Sequence, residues 1–286
     1  MKVMKKELIF DVAAKAASIK SQLHMSLNLP IDPIHIAEQL RCNVVFKSLP
    51  TLEGMYSPEP SPVIILGSER PIGRRAFTCA HELGHHVYKH GLKADELAVK
   101  AFDAISDEKE YIADLFASLL LMPPPAIIKA IKDREIDINS IDHHDIFALS
   151  SYFGVGYATI ISHLRWTLKL LSHNQYEQFK KISVKSIKEE FSVMPENNLI
   201  IVDANWSGKT IDLEIGDSAI LPANVDFDNA TSLMISNLPN NKIKIIPTKQ
   251  GIFRTHSQNN NWATFIRVSR KKYEGISKYR FLPDEE

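Results

Sequence analysis

The 286-residue sequence predicts an α+β fold: a helix-rich N-terminal domain with a small β-sheet, a helix-turn-helix-like helical subdomain, and a β-rich C-terminal domain. Apolar residues recur every three to four positions through much of the first 190 residues, the period of amphipathic helices. Between them, Val44-Val-Phe46 and Val63-Ile-Ile-Leu66 have strand character, separated by a stretch holding Gly54, Pro58, Pro60 and Pro62. From about Asn197 the texture changes to short β-type runs with turns between them. A chain this long is typical of about two domains, and its 44% hydrophobic content supports a real core.

In order along the chain, residues 7–24 read as a helix with Leu8, Val12, Ile19 and Leu23 on one side. Pro30 and Pro33 start a second helix through about Leu40. The two strands follow, and then the segment Arg74 to Lys89, where Ala76, Phe77, Ala80, Leu83, Gly84, Val87 and Tyr88 make one apolar stripe. Glu110 to Met122 is apolar almost all round, which marks a buried helix, and Pro123-Pro124-Pro125 bounds it. A helix from Ala126 to Asp133 comes next. Asp142 caps the helix through Ile146 to Ser150, and Phe153-Gly-Val155 turns into Tyr157 to Lys169, a helix-turn-helix pattern. Residues 173–190 read as a helical linker. The runs Leu199–Val202, Ile211–Ile215, Ser232–Ile235, Ile243–Ile246 and Ala263–Val268 predict a compact antiparallel β domain. The boundaries drawn from this reading are 1–135, 136–172, 173–195 and 196–286.

The chemistry concentrates in His81-Glu82-Leu-Gly-His85. On a helix, residues four apart share a face, so both histidines can address one metal ion, and Glu82 can take a proton from its water. A catalytic zinc needs a third protein ligand. Glu110 and Asp114 lie four apart on the one small-residue face of the buried helix, where carboxylates are costly unless paired or bound to a cation. Glu110 is assigned as third ligand and Asp114 as the acceptor that orients a ligand histidine; the reverse assignment fits the same spacing. The expected cofactor is Zn2+, with Mn2+ or Fe2+ compatible with two imidazoles and a carboxylate. Tyr56 is the expected oxyanion donor, with Arg75 the alternative. Val63, Ile64, Ile65 and Leu66, or a neighbouring strand, are expected to hold substrate backbone by β-augmentation.

These residues resemble the ImmA/IrrE family of zinc metallo-endopeptidases over about residues 28–170. The resemblance rests on Pro30-Ile-Asp-Pro-Ile-His-Ile-Ala37-Glu, Gly54-Met-Tyr56, Arg75 to His85, Glu110-x-x-Ala-Asp-x-Phe-Ala117 and Leu120-Leu-Met-Pro123. It implies a zincin-like helical metalloprotease domain with metal on His81, His85 and Glu110 and Glu82 as general base. It also implies a cytoplasmic protease that cuts a partner repressor carrying a helix-turn-helix domain. About 100 extra C-terminal residues depart from the short family members and leave substrate and trigger open. The other classes weighed are a DNA- or partner-binding regulator and a toxin-like or defence effector whose C-terminal domain senses a trigger.

Bulk properties agree with the cytoplasm. Formal net charge is zero, so no strong field draws the chain to nucleic acid or membrane. Cys42 and Cys79 fit neither a disulfide framework nor a cysteine zinc site. Glu7, Asp11 and Lys15 interrupt any signal-type apolar region, and the run within Tyr111–Ile128 is too short and proline-broken to span a bilayer. Direct DNA contact is weakly supported, because the second helix of the helix-turn-helix offers only Arg165 and Lys169. The basic cluster from Arg267 to Arg280 reads as a solvated strand face. His86 and His90 read as edge-packed or solvated, and His143 and His144 as a polar first turn.

Overall fold

The computed structural model describes residues 2–96, 107–206, 208–228, 230–259 and 262–282. The chain groups into two compact units. The first comprises Met1–Lys132, Phe153–Gly156 and Glu274–Ser277, and the second Asp133–Tyr152, Tyr157–Tyr273 and Lys278–Glu286. The helices expected as a separate subdomain and linker therefore group with the β-rich residues. One short C-terminal segment returns to the first unit.

The first unit is a sheet covered by helices. Its strands are β1 (Asn43–Lys47), β2 (Leu52–Ser57), β3 (Val63–Gly67), β4 (Lys93–Glu96) and β13 (Gly275–Ile276), in the order β13-β1-β3-β2-β4. β1 and β3 are parallel, and the other pairs are antiparallel. Register places Val44 beside Ile64 and Tyr56 beside Ile64, and Phe46 beside Leu66 and Gly54 beside Leu66. Alternation puts these six on one face, and all are buried.

Helix α3 (Ile72–Val87) lies on that face, α4 (Glu108–Leu121) packs on α3, and α1 (Lys2–Gln22) packs on α4. Helix α2 (Pro33–Gln39) starts with its proline in the first turn, and Asp32 caps it by accepting from the Ile34 N–H at 2.9 Å. Helix α5 (Pro124–Asp133) follows α4 after the break at Met122-Pro123. The stretch Glu108–Asp133 is long and apolar enough to cross a membrane by composition alone. Over half of it is buried in the unit's core, with Phe116, Leu120, Leu121 and Ile127 fully covered.

The second unit holds α6 (His143–Phe153, but for its last residue), α7 (Tyr157–Ser162), α8 (His173–Lys180) and α9 (Val184–Glu190). Helix α7 runs into a π-helical turn, His163–Thr167. Asp142 caps α6 as expected, its Oδ1 accepting from the His144 and Asp145 N–H groups at 2.8 and 2.9 Å.

The remaining strands are β5 (Leu199–Ile201), β6 (Ile211–Glu214), β7 (Ser218–Pro222), β8 (Val225–Phe227), β9 (Leu233–Leu238), β10 (Lys242–Pro247), β11 (Gly251–Ser257) and β12 (Ala263–Ser269). They form two four-stranded sheets, β5-β7-β10-β9 and β6-β12-β11-β8. The expected purely antiparallel domain is corrected here: β5 runs parallel to β7 and β6 parallel to β12. Strand β7 escaped sequence reading because four of its five residues are buried, which removes the alternation a half-exposed strand shows.

Candidate metal centre

Helix α3 supplies the two histidines. Its residues His81, Glu82 and His85 are 2%, 0% and 0% exposed. His81 Nε2 and His85 Nε2 face each other at 3.0 Å. Glu110 reaches them from α4, with Oε2 3.3 Å from His81 Nε2 and Oε1 3.6 Å from His85 Nε2. The three ligand atoms lie within 4.8 Å of one another. Two imidazole nitrogens and one carboxylate pointed at a common centre are the donor set of a three-ligand zinc-type site.

Helix proximity makes this convergence possible. A Cβ at Gly84 would lie 3.1 Å from the Ala113 Cα and 3.3 Å from the Phe116 ring, so α3 and α4 approach through a glycine set against a small residue. Ala113 lies between Glu110 and Asp114 on its helix, and Gly84 lies beside His85. The contact that lets the backbones meet therefore delivers both acids to the histidines. Gly54 plays the corresponding part on the sheet side: a Cβ there would come within 2.5 Å of Thr78 Cγ2 and 3.4 Å of Glu82 Oε1. Its absence lets α3 settle on β2 with the Glu82 carboxylate against the strand.

Both ligand histidines are held from behind. His81 Nδ1 sits 2.7 Å from Asp114 Oδ1. A carboxylate only accepts, so His81 donates through Nδ1–H and presents the Nε2 lone pair to the centre. His85 Nδ1 lies 2.9 Å from His90 Nδ1. Helix α3 closes with the His90 N–H donating to the His85 carbonyl at 3.0 Å and Lys89 at φ 56°. That is a Schellman closure with lysine where glycine is usual, and it turns His90 back against His85. Burial, and then the nearby His85, push the His90 imidazole below its ordinary pKa, which favours a neutral acceptor.

Glu110 is held well below the usual carboxylate range, first by the imidazole of His81 and then by that of His85; Lys93 adds to this. Lys93 Nζ lies 3.1 Å from Glu110 Oε1 and 3.2 Å from Asp107 Oδ2. Tyr56 is buried on β2, and its hydroxyl lies 2.9 Å from His86 Nδ1. Burial raises the Tyr56 pKa and lowers that of His86, so the phenol donates to a neutral ring. Arg75 stands with its guanidinium 5.5 Å from the centre of the Phe46 ring. Cys42 and Cys79 are buried thiols not joined in a disulfide, and burial pushes Cys42 up to about 12, with Glu82 adding to it.

His81, Glu82, His85, Glu110 and Asp114 are thus brought together. Val63 to Leu66 are not an available edge, which corrects the expectation for them. Strand β3 is bonded to β1 on one side and β2 on the other, and Ile64 and Leu66 are core residues. Among the described residues the edge strand on this side is β4, which carries Lys93. Sequence reading missed Lys93 and undervalued His86 and His90, because their contacts come from a strand and a helix-end turn that spacing does not encode.

Comparison with known proteins follows the same residues. Residues 37–165 match the model of the IrrE N-terminal-like domain of the M78 peptidases. These residues form an ImmA/IrrE family domain. The radiation response metalloprotease IrrE of Deinococcus radiodurans is 32% identical over 92 residues, 30% of this chain and 27% of its own length. The chain thus spans about a quarter of that curated relative. A Mycobacterium tuberculosis transcriptional regulator of solved structure is 20% identical with a TM-score of 0.37, over 55% of this chain and 46% of its own. The cysteine protease inhibitor EhICP2 from Entamoeba histolytica is 11% identical with a TM-score of 0.20, over 26% of this chain and 99% of its own. Likenesses at those scores say nothing about fold or function here.

Proposed function

We propose that this chain is a zinc-dependent endopeptidase that cleaves a specific regulatory protein. The observation that carries the reading is the convergence of His81 Nε2, His85 Nε2 and the Glu110 carboxylate beside buried Glu82. Their donor chemistry fits zinc, and manganese or iron would accept the same set. When bound, the ion supplies Lewis acidity toward the scissile carbonyl and lowers the pKa of its water.

The protein side of the reaction follows from the geometry. Asp114 and His90 fix the two imidazoles so that both Nε2 lone pairs face inward. Glu82, next to His81 on the same helix, accepts the proton of the attacking water and delivers it to the leaving amine. Tyr56 donates to the oxyanion by turning its hydroxyl proton away from His86, against which it rests. The substrate backbone pairs with the outer edge of β4, the strand whose Lys93 touches Glu110. A helix-turn-helix repressor is the substrate class that the family domain favours.

The test is Glu82→Gln in the full chain. General-base loss costs about 100- to 10,000-fold in kcat while the metal content stays the same. Fragments of the protein encoded by the adjacent reading frame, read by mass spectrometry after co-expression, identify the substrate. Cleavage by the Glu82→Gln chain at the parental rate rejects this mechanism.

A further inference from the structure

A second set of metal-type donors lies in the other unit. His143 and His144 open α6, and Glu190 closes α9, far from them in sequence. Their ligand atoms lie within 4.8 Å of one another. His144 Nε2 stands 2.6 Å from Glu190 Oε2, and His143 Nε2 stands 3.5 Å from Glu190 Oε1. Each imidazole therefore addresses its own oxygen of one carboxylate, the same atomic pattern that His81, His85 and Glu110 make.

The two rings are 4.0 Å apart between centroids, and the edge of Phe191 packs at 6.3 Å from His144. Behind His144, Nδ1 lies 3.9 Å from Asp142 Oδ2, the same residue whose other oxygen caps α6. The side chains of His143, His144 and Glu190 are 28%, 43% and 44% exposed, so an ion can enter from solvent and keep water in its remaining positions.

We propose that His143, His144 and Glu190 bind one divalent ion of the zinc type and thereby clamp the start of α6 to the end of α9. Two imidazoles and a carboxylate are borderline ligands that prefer zinc, cobalt or nickel over calcium or magnesium. An ion pair between histidine and glutamate explains the His144 contact alone. It does not account for a second imidazole turned through Nε2 onto the other oxygen. The site has no part in the peptidase reading, and either can fail without the other.

Metal stoichiometry separates them. Chelator-stripped full-length chain is titrated calorimetrically with zinc chloride, and in parallel with cobalt chloride followed by absorption. The parental chain takes up two equivalents. His144→Asn and Glu190→Gln each take up one, with their peptidase activity unchanged. His81→Asn/His85→Asn takes up the other one, and adding His144→Asn to that pair abolishes uptake. Because the three side chains are partly exposed, these variants keep the parental circular dichroism. As an independent readout, zinc raises the melting temperature of the His81→Asn/His85→Asn chain and leaves the triple variant unmoved. No uptake by the His81→Asn/His85→Asn chain overturns the proposal, as does uptake by that chain that survives both His144→Asn and Glu190→Gln.

Discussion

Asp114 stands against His81 Nδ1 and so sets which nitrogen of His81 is available. Its replacement by asparagine leaves a neutral acceptor where a carboxylate stood, so His81 loses the charge that raises its basicity. Partners of this kind are typically worth 10- to 100-fold in metal affinity. Competition against a chromogenic chelator should show a loss in that range for Asp114→Asn, with the fold intact by circular dichroism. An unchanged affinity would mean that the 2.7 Å contact is incidental.

A second residue-level consequence concerns Lys20, which is 1% exposed and donates to the Leu29 carbonyl at 2.9 Å. Burial pushes its ammonium from the ordinary 10.5 down to about 8. Between those values the unfolded chain binds the proton that the folded chain has released, so folding stability gains as pH rises through this window. Below about 8 the full penalty stands, on the order of 3 kcal/mol for a shift of this size. Denaturant unfolding at pH 7 and pH 10 should show the parental chain gaining on Lys20→Met. A parallel pH dependence in the two proteins would contradict this.

At the level of elements, the third ligand depends on how closely two helices pack. Helices α3 and α4 meet through Gly84 against Ala113, and Glu110 and Asp114 flank that contact on α4. Gly84→Val forces branched carbons into a space already at 3.1 Å from backbone, and overpacking of this kind costs typically 1–3 kcal/mol. More telling is where the strain goes: α4 must move away, taking one ligand with it while His81 and His85 stay on their own helix. Metal affinity should therefore drop more steeply than thermal stability, as equilibrium dialysis and calorimetry on the same sample would report.

For the whole molecule, the balance of charge weighs against one rival reading. The pattern that suggested a helix-turn-helix is present as α6 and α7, but its second element is six residues of α-helix ending in a π-helical turn. Tyr157, Ile160, Ile161, His163 and Leu164 of that stretch are buried. Its one arginine, Arg165, donates to the Leu171 carbonyl at 2.9 Å and lies 5.0 Å from the Trp166 ring centre, and Lys169 lies past its end. In the C-terminal cluster, Arg267 pairs with Asp212 through two contacts of 2.6 Å, and Arg280 approaches the same carboxylate. With zero net charge over the sequence, no strong positive field favours a phosphate footprint. A gel-shift at about 150 mM salt should show no retention of duplex DNA, with or without chelator; a specific shift would revive the regulator reading.

The sequence by itself determined the helix that carries His81, Glu82 and His85, the buried helix with Glu110 and Asp114, and the change to β texture past Asn197. All of these are local: helical period, composition and turn residues act over a few positions and survive without knowing what lies opposite. It could also say that two carboxylates on a buried helix call for a partner or a cation. Only the tertiary structure decided that Glu110 meets both Nε2 atoms while Asp114 stands behind His81, since that depends on the depth at which Gly84 lets two helices approach. It alone showed β3 enclosed between β1 and β2 with β4 outermost, because strand order is not written in any one strand. It alone brought Glu190 to His143 and His144. Contacts between residues tens of positions apart are fixed by packing, and no periodicity along the chain records them.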